Sequence, residues 1–214
     1  MTPSPFSLRR FPLRALTGAL LVSATLSACA PLIVGGAMVG GAFMVTDRRT
    51  SGAQVEDQAI ELKAMNRTRE ILGDRGHVNA TSYNRTVLLT GEVPAEADRT
   101  AVEQTVSRIE NVRSVVNELA VMGNSSLTSR SNDAILSGKV KATFVDAKDL
   151  QANAFKVYTE RGTVYLLGRV TEREANRAVD LARTISGVQK VVRVFEILTE
   201  AELADLANTN KEKK

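Results

Sequence analysis

Cysteine and histidine, the residue types behind most metal sites and many nucleophilic centres, occur once each in this 214-residue chain, as Cys29 and His77. A single cysteine excludes an internal disulfide, and one Cys with one His excludes every zinc site built from several of them. A nucleophile activated by histidine would have to use His77. That residue follows Gly73-Asp74-Arg75-Gly76, which predicts a loop. The composition therefore argues against an enzyme, a cofactor and a metal site.

The other candidate catalytic groups have structural explanations. Glu172 and Glu174 lie in Thr171-Glu172-Arg173-Glu174, where threonine followed three residues later by glutamate is a helix-capping pattern. The sequence contains no phosphate loop, dinucleotide fingerprint or nucleophile elbow. Nucleic acid is not an expected partner, because residues 1–28 carry three of the 28 basic residues and none of the 24 acidic ones, so that their removal leaves a net charge of +1.

Residues 1–28 have the pattern of a secretory signal. Three arginines precede an apolar run over residues 15–24, and Leu26-Ser27-Ala28-Cys29 follows. This last sequence is similar to the lipobox of bacterial lipoproteins. The resemblance implies cleavage before Cys29 and acylation of that residue, with several chains, palmitate among them, anchoring the mature protein to a membrane. The alternative is an incidental cysteine in an uncleaved anchor.

The residues after Cys29 indicate where the protein is anchored. Enteric lipoproteins retained in the inner membrane carry Asp at the next position, and this chain has Ala30, so the resemblance implies the outer membrane and a body facing the periplasm. Residues 30–45 are uncharged, yet too few for the roughly 20 residues of a spanning helix. Gly36 and Gly40 form a GxxxG pattern, which is a weak signal here. We expect residues 29–55 to form a flexible leash.

The body of the chain contains an internal repeat. Residues 87–93 (VLLTGEV) match residues 164–170 (VYLLGRV), 77 positions later. Apolar positions from Val102 to Val112 match those from Ala178 to Val188, now 76 positions later, so the first copy has one extra residue. Repetition at a fixed spacing indicates duplicated structural units. We place module 1 at residues 56–122, a polar linker at residues 123–130 and module 2 at residues 131–198.

Each module has the pattern helix, strand, strand, helix, strand, which predicts an α+β fold of two tandem αββαβ modules. Helical spacing of apolar residues predicts the opening helix of module 1 over residues 56–72. In module 2, Ser131 or Asn132 can cap a helix that continues to about Asp146. Alternating apolar residues predict strands joined by a tight turn. Gly187 can end the second helix with a positive φ.

Several motifs resemble the BON domain. They are Gly91 and Gly168 within strands, the step Gly187-Val188-Gln189-Lys190-Val191, Thr171-Glu172-Arg173-Glu174-Ala175, and Thr46-Asp47-Arg48-Arg49 ahead of module 1. Two such modules behind a lipobox resemble the BON-domain outer-membrane lipoproteins of Gram-negative bacteria, a lipid-binding family associated with division and envelope stress. Gly91, Gly168 and Gly187 would have structural roles. Gly168 in particular lies mid-strand, where glycine usually marks the close approach of a neighbouring element.

The two modules differ in charge. Residues 56–122 hold 8 basic and 11 acidic residues, a net of −3, and residues 131–198 hold 11 basic and 8 acidic residues, a net of +3. Basic residues near an anionic membrane contribute about 1 kcal/mol each. Module 2 is therefore the candidate for binding anionic phospholipid. The alternatives are an ordinary solvated surface and attraction to module 1.

The strands of module 2 are apolar on both faces. Its helices can cover only one face of the sheet, so the other must be covered by module 1, by the tail or by a partner. We expect the cover to be intramolecular. That face carries Tyr158, Tyr165, Leu167, Val192, Val194 and Leu198.

The opening helix of module 2 has a second edge that suits a bilayer surface. Ile135, Gly138 and Ala142 lie beside its core stripe together with Lys139 and Lys141. An apolar residue, small residues and lysines are typical of a membrane-contact strip, and Ile135, Lys139 and Lys141 are the predicted lipid-binding residues. The alternative is an edge that touches module 1.

The sequence thus predicts a non-enzymatic outer-membrane lipoprotein that binds anionic phospholipid through module 2 and supports envelope integrity. A first alternative is an adaptor that docks an outer-membrane assembly or division protein, with lipid binding incidental. A second is a stress-induced structural protein without a specific ligand. Residues 199–214 are expected to be a polar tail, frayed from Asn208 to Lys214.

Overall fold

The computed structural model describes residues 47–212, and the order of elements within it repeats once. The helices and strands are α1 (Ser51–Leu72), β1 (His77–Tyr83), β2 (Thr86–Val93), α2 (Glu96–Ser107), β3 (Ser114–Asn117), β4 (Ala120–Val121), α3 (Leu127–Asp146), β5 (Phe155–Glu160), β6 (Thr163–Thr171), α4 (Glu172–Arg183), β7 (Lys190–Leu198) and α5 (Glu200–Glu212). A short 3-10 turn at Ala152–Ala154 precedes β5. The predicted α+β fold of two αββαβ modules is confirmed.

Both β-hairpins turn through two residues in the left-handed region. Asn84 and Arg85 have φ values of 49° and 68° between β1 and β2, and Arg161 and Gly162 have 49° and 70° between β5 and β6. Two consecutive positive φ values are those of a type I′ turn, whose twist matches the twist of the strands that it joins. The two hairpins therefore have the same turn despite different residues.

A buried aspartate of the opening helix holds each turn in place. Asp57 of α1 accepts hydrogen bonds of 2.8 Å from the backbone N–H groups of Asn84 and Arg85. Asp133 of α3 accepts two bonds of the same length from the corresponding residues of module 2. Burial by itself raises the pKa of Asp57, but these bonds and those from Ser82 and Arg49 hold that pKa below its usual range. Each carboxylate thus ties a helix to a hairpin.

The central strands are β2 and β6. Each pairs antiparallel with the strand before it and parallel with the strand that follows the second helix, and a parallel pair needs such a crossover helix. The last strand is continuous in module 2 but interrupted between Asn117 and Ala120 in module 1. At the break Leu119 is buried in the core of module 1. Gly91, in the part of β2 beside the break, has a φ of 111°.

Alternate residues of the central strands enter two different cores. Val87, Leu89 and Val93 pack with α1 and α2 in module 1, and the equivalent side of β6 packs with α3 and α4 in module 2. The opposite side of β2 and β6 carries Leu88, Tyr165 and Leu167, which pack together in a third cluster. Helices therefore cover the outer face of each sheet, and the inner faces meet one another.

Two helices begin earlier than the sequence predicts. The expected start of the first helix was residue 56, but α1 begins at Ser51, after the Thr50 side chain accepts from the N–H of Ala53. The expected cap of α3 was Ser131 or Asn132, but Ser126 caps it and Leu127 begins it. Several Ser, Thr and Asn residues in succession can all act as caps, so the pattern does not rank them. Residues 127–130 of the expected linker therefore belong to α3, and residues 51–55 of the expected leash belong to α1.

Two other expectations were wrong. Residues 208–212 of the tail are not frayed, because they belong to α5 (Glu200–Glu212), which begins with reciprocal hydrogen bonds between Thr199 and Glu202. His77 is not in a loop but is the first residue of β1, where it pairs with Glu92 of β2. The predicted signal peptide, Cys29 and the GxxxG pattern at Gly36 and Gly40 lie outside the described residues.

Candidate membrane-binding surface

Helix α3 presents one side to the core and the other to solvent. Its buried side carries Asp133, Leu136, Val140 and Phe144, which follow one another at helical spacing. The opposite side, here called the outer face of α3, consists of Leu127, Ile135, Gly138, Ala142 and Val145, all of them exposed. At 100° per residue these positions fall within one stripe. The outer face is thus a narrow apolar strip along the helix.

Lysines flank this strip. Lys139 and Lys141 are exposed. At 100° per residue they lie on opposite sides of the strip. Among the described residues neither lysine has an ion-pair partner. Ile135 is 58% exposed. The alternative that this edge packs against module 1 is therefore wrong, and its charges are free to meet a ligand.

A cleft opens beside Ile135 and Lys139. Its volume is about 540 Å³, and its other wall is formed by the loop that contains Ser186, Gly187 and Gln189. Gly187 has the expected positive φ, 101°, but it does not end α4, because the helix stops at Arg183 with Thr184 as its C-cap. Leu136 lies just below the loop. Polar walls with an apolar floor could hold a small anionic head group.

The face of the module 2 sheet that lies opposite the helices of that module is buried against module 1. Tyr165 and Leu167 of β6 pack on Tyr83 and Leu88 of module 1, and Val116, Tyr158, Val192 and Val194 surround them. Both modules belong to the same compact unit. The prediction of intramolecular cover is confirmed, and module 1 supplies it. In module 2 the exposed apolar surface therefore lies on the helix side.

Ion pairs cross the interface between the modules with acids in module 1 and bases in module 2. Arg161 donates to the Glu92 carboxylate at 2.8 Å and to the Gly91 carbonyl at 3.0 Å. Lys156 pairs with Glu61. Burial by itself raises the pKa of Glu92, but the bonds from Arg161 and Ser125 hold that pKa below its usual range. Part of the opposite charge of the modules thus serves their mutual attraction.

Residues 47–49, here called the arginine strap, join both modules at the start of the described chain. Arg48 donates two hydrogen bonds of 2.7 Å to Glu174 at the start of α4. Arg49 pairs with Asp57 of α1 at 2.8 Å, and its guanidinium lies 4.2 Å from the centre of the Tyr83 ring. Burial by itself raises the pKa of Glu174, whereas the hydrogen bonds from Arg48 and the Thr171 N–H lower it. The second effect is larger, so the pKa of Glu174 lies below its usual range.

Sequence reasoning found these arginines only as part of a family-like motif and assigned them no role. The sequence feature that could have indicated a role for them is Glu174. A glutamate that caps a helix also carries a negative charge, and an arginine can pair with it. The capping box at Thr171 and Glu174 is confirmed. The ion pair adds a second function, because one carboxylate both caps α4 and receives the strap.

Comparison with known proteins identifies the fold. The BON domain model matches residues 62–123 and 132–199, one match in each module. The chain belongs to the BON-domain family. It is 40% identical over 192 residues to outer membrane lipoprotein DolP of Haemophilus influenzae, a match that covers 87% of this chain and 97% of that protein. The resemblance to BON-domain outer-membrane lipoproteins is thereby confirmed.

Two further matches are weaker. The chain is 29% identical over 151 residues to a 21 kDa hemolysin of Actinobacillus pleuropneumoniae, covering 70% of this chain and 78% of that protein. A solved structure of CdsD, a structural protein of the type III secretion system of Chlamydia trachomatis, matches with a TM-score of 0.28 and 13% identity over 66% of this chain and 96% of that one. A likeness this weak indicates nothing about function.

The family-like glycines of the two BON modules lie where the backbone is crowded. A Cβ on Gly91 would fall 2.0 Å from the His77 carbonyl oxygen, and one on Gly168 would fall 2.5 Å from the Ala154 carbonyl oxygen. Both glycines therefore permit a close approach of main chain that any side chain would prevent. Within residues 47–212, the BON modules and α5 include no helix that is both long and apolar enough to cross a bilayer.

Proposed function

We propose that this protein is a non-enzymatic outer-membrane lipoprotein, acylated at Cys29 and facing the periplasm, that binds anionic phospholipid through the outer face of α3 and supports envelope integrity. The outer-membrane assignment is supported by the 40% identity to a protein named as an outer membrane lipoprotein. The lipid assignment is supported chiefly by one observation. An exposed apolar strip runs along module 2, and the lysine on each side of it has no ion-pair partner within residues 47–212.

The arrangement separates two contributions to binding. Lys139 and Lys141 supply attraction to an anionic surface, worth about 1 kcal/mol each and screened by salt because the side chains are exposed. Ile135, Leu127 and Val145 supply apolar area that can enter the interfacial region of a bilayer, and this contribution is not screened. A protein anchored by acyl chains needs only a weak second contact to hold its body against the membrane.

Vesicle co-sedimentation of fragment 46–214, which contains both modules, tests this proposal with phosphatidylglycerol and phosphatidylcholine vesicles. Lys139→Gln/Lys141→Gln should lose about 2 kcal/mol at low salt, or roughly thirtyfold in affinity, and the loss should shrink as salt is added. Ile135→Ala should weaken binding roughly tenfold, if shallow insertion gains about half of a full apolar transfer, with little dependence on salt.

Helix α1 provides matched controls. Leu62 is 61% exposed against 58% for Ile135, and Lys63 and Arg67 are exposed basic residues of the same helix. Leu62→Ala and Lys63→Gln/Arg67→Gln should leave vesicle binding unchanged, because module 1 is acidic. Equal binding of the wild type to both lipids, or a lysine double variant that binds like the wild type, would remove the outer face of α3 as the site.

An adaptor is the second candidate function, and the exposed side of α1 favours it. Val55, Leu62 and Met65 are exposed apolar residues at helical spacing on module 1. A helix with this pattern suits a protein partner of the outer membrane rather than a lipid, since module 1 has a net charge of −3. A Leu62→Ala variant that binds vesicles normally but fails to support envelope integrity would favour this function over the first.

A further inference from the structure

Three ligating side chains meet at the interface between the modules, away from the outer face of α3. His77 and Glu92 face one another as paired residues of β1 and β2, and Glu160 comes from the end of β5. The distance from His77 Nδ1 to Glu92 Oε2 is 3.5 Å. One ligand atom from each of the three residues lies within 4.8 Å of the other two. Glu92 and Glu160 are 0% and 2% exposed.

The ring nitrogen in this cluster is not satisfied by the protein, whereas both carboxylates accept hydrogen bonds, Glu92 from Arg161 and the Ser125 N–H and Glu160 from Tyr158 and Asn79. Among the residues that the structure describes, the buried Nδ1 of His77 has no hydrogen-bond partner. Glu160 and Glu92 are both buried, and their ligand atoms lie within 4.8 Å of one another. Buried polar atoms nearly always have a partner, and two buried carboxylates side by side repel one another. A ring nitrogen and two carboxylates that converge in this way form a donor set for a cation.

We propose that His77, Glu92 and Glu160 bind one divalent metal ion, with Zn²⁺ as the best fit, and that the ion joins module 1 to module 2. Imidazole and carboxylate together suit Zn²⁺ better than Mg²⁺ or Ca²⁺, which prefer oxygen ligands alone. Three protein ligands leave a fourth position for water. A cleft of about 210 Å³, lined in part by His77, Tyr158 and Glu160, lies beside the site and has room for it.

Neighbouring groups already orient the ligands. Tyr158 donates a hydrogen bond of 3.0 Å to Glu160, and Arg161 donates one of 2.8 Å to Glu92 Oε1. Glu92 Oε2, which faces His77, accepts one hydrogen bond of 3.1 Å from the Ser125 N–H and keeps a second lone pair for a metal ion. Binding through Nδ1 leaves the His77 proton on Nε2, which lies 3.4 Å from the Asn79 amide group. The same amide nitrogen donates a hydrogen bond of 3.3 Å to Glu160 and so holds that carboxylate beside the ring. Such outer partners fix the orientation of metal ligands and strengthen binding.

Zn²⁺ binding requires only a small decrease in the distances between the ligand atoms of the three residues. Ligand atoms about 2.1 Å from a tetrahedral Zn²⁺ are roughly 3.4 Å apart, close to the 3.5 Å between His77 and Glu92. Glu160, whose ligand atom lies within 4.8 Å of the other two, must approach by up to about 1.4 Å to reach this spacing, which a change of its side-chain torsions can supply. The counting of cysteine and histidine could not reveal this site, because only one of its ligands is a histidine.

The test is Zn²⁺ binding by the metal-free full chain in detergent, followed by calorimetry and thermal unfolding. We expect one Zn²⁺ per chain and a melting temperature that rises with Zn²⁺ concentration. His77→Ala and Glu160→Gln should each weaken binding at least about tenfold. Glu196→Gln is the matched control, because Glu196 also lies at the interface and pairs with Arg169 and Asn84 but is outside the cluster.

X-ray absorption at the zinc edge gives an independent measurement that does not depend on the stability of the variants. The expected spectrum shows one imidazole with oxygen ligands and no sulfur, which also excludes binding at Cys29. Unsaturable binding, a sulfur ligand, or wild-type affinity in both His77→Ala and Glu160→Gln would overturn the proposal.

Discussion

Replacing Arg48 with alanine should detach the arginine strap from module 2. In the wild type Arg48 donates two hydrogen bonds of 2.7 Å to Glu174 and one of 2.9 Å to the Arg169 carbonyl. The side chains of Arg48 and Glu174 are only 10% and 5% exposed. The substitution therefore leaves a carboxylate without its cation at a place that water reaches poorly.

The expected loss of stability follows from that burial. Removing one partner of a buried ion pair costs about 3–5 kcal/mol. The lower end applies here, because Glu174 keeps a hydrogen bond of 3.0 Å from the Thr171 N–H. For a body of this size about 1 kcal/mol corresponds to roughly 2–4 °C. A loss of about 3 kcal/mol should thus lower the melting temperature by roughly 6–12 °C.

The effect should depend on pH in a defined direction. The folded-state pKa of Glu174 is depressed, since the bonds from Arg48 and Thr171 outweigh burial. A depressed pKa stabilises the fold above the unfolded value of about 4.3, and that stability is lost as the pH falls through the folded value. The difference between the wild type and Arg48→Ala should therefore be largest near neutral pH and should narrow in acid.

Thermal unfolding followed by circular dichroism on fragment 46–214 measures these effects. Arg193→Ala is the matched control, because Arg193 pairs with Glu172 in the same turn of α4 but the two side chains are 39% and 58% exposed. An exposed pair contributes about 0–1 kcal/mol. Equal melting temperatures for Arg48→Ala and Arg193→Ala, or a difference from the wild type that does not change with pH, would refute the reasoning.

Three further outcomes are expected. Mass spectrometry of the mature protein should find acylated Cys29 as its first residue, and an unmodified Cys29 or intact residues 1–28 would contradict the lipoprotein assignment. Gly168→Val should cost about 1–3 kcal/mol by overpacking against the Ala154 carbonyl, whereas Gly138→Val, in open space, should cost nothing in a melting curve. Leu167→Ala should cost about 2–5 kcal/mol in denaturant unfolding, because Leu167 is fully buried between the sheets; a cost below 1 kcal/mol would mean that the interface is loose.

The repeat and the alternation of apolar residues were enough to predict the fold. Matches such as residues 87–93 with 164–170 depend on local patterns, since a strand that packs on helices needs an apolar residue at every second position. The capping box at Thr171 and Glu174 was also readable, because its two groups lie three residues apart. The first residues of α1 and α3 were harder to predict, since several residues near Thr50 and Ser126 could act as caps.

The sequence by itself therefore determined the two modules, their elements and the family, because these depend on residues that are close in the chain. Only the tertiary structure decided which faces remain exposed. It buried the inner face of module 2 against Leu88 and left Ile135 on the surface, it joined Arg48 to Glu174 across 126 positions, and it brought Glu160 to His77 and Glu92. Such contacts depend on how two sheets pack face to face, and no local periodicity records that packing.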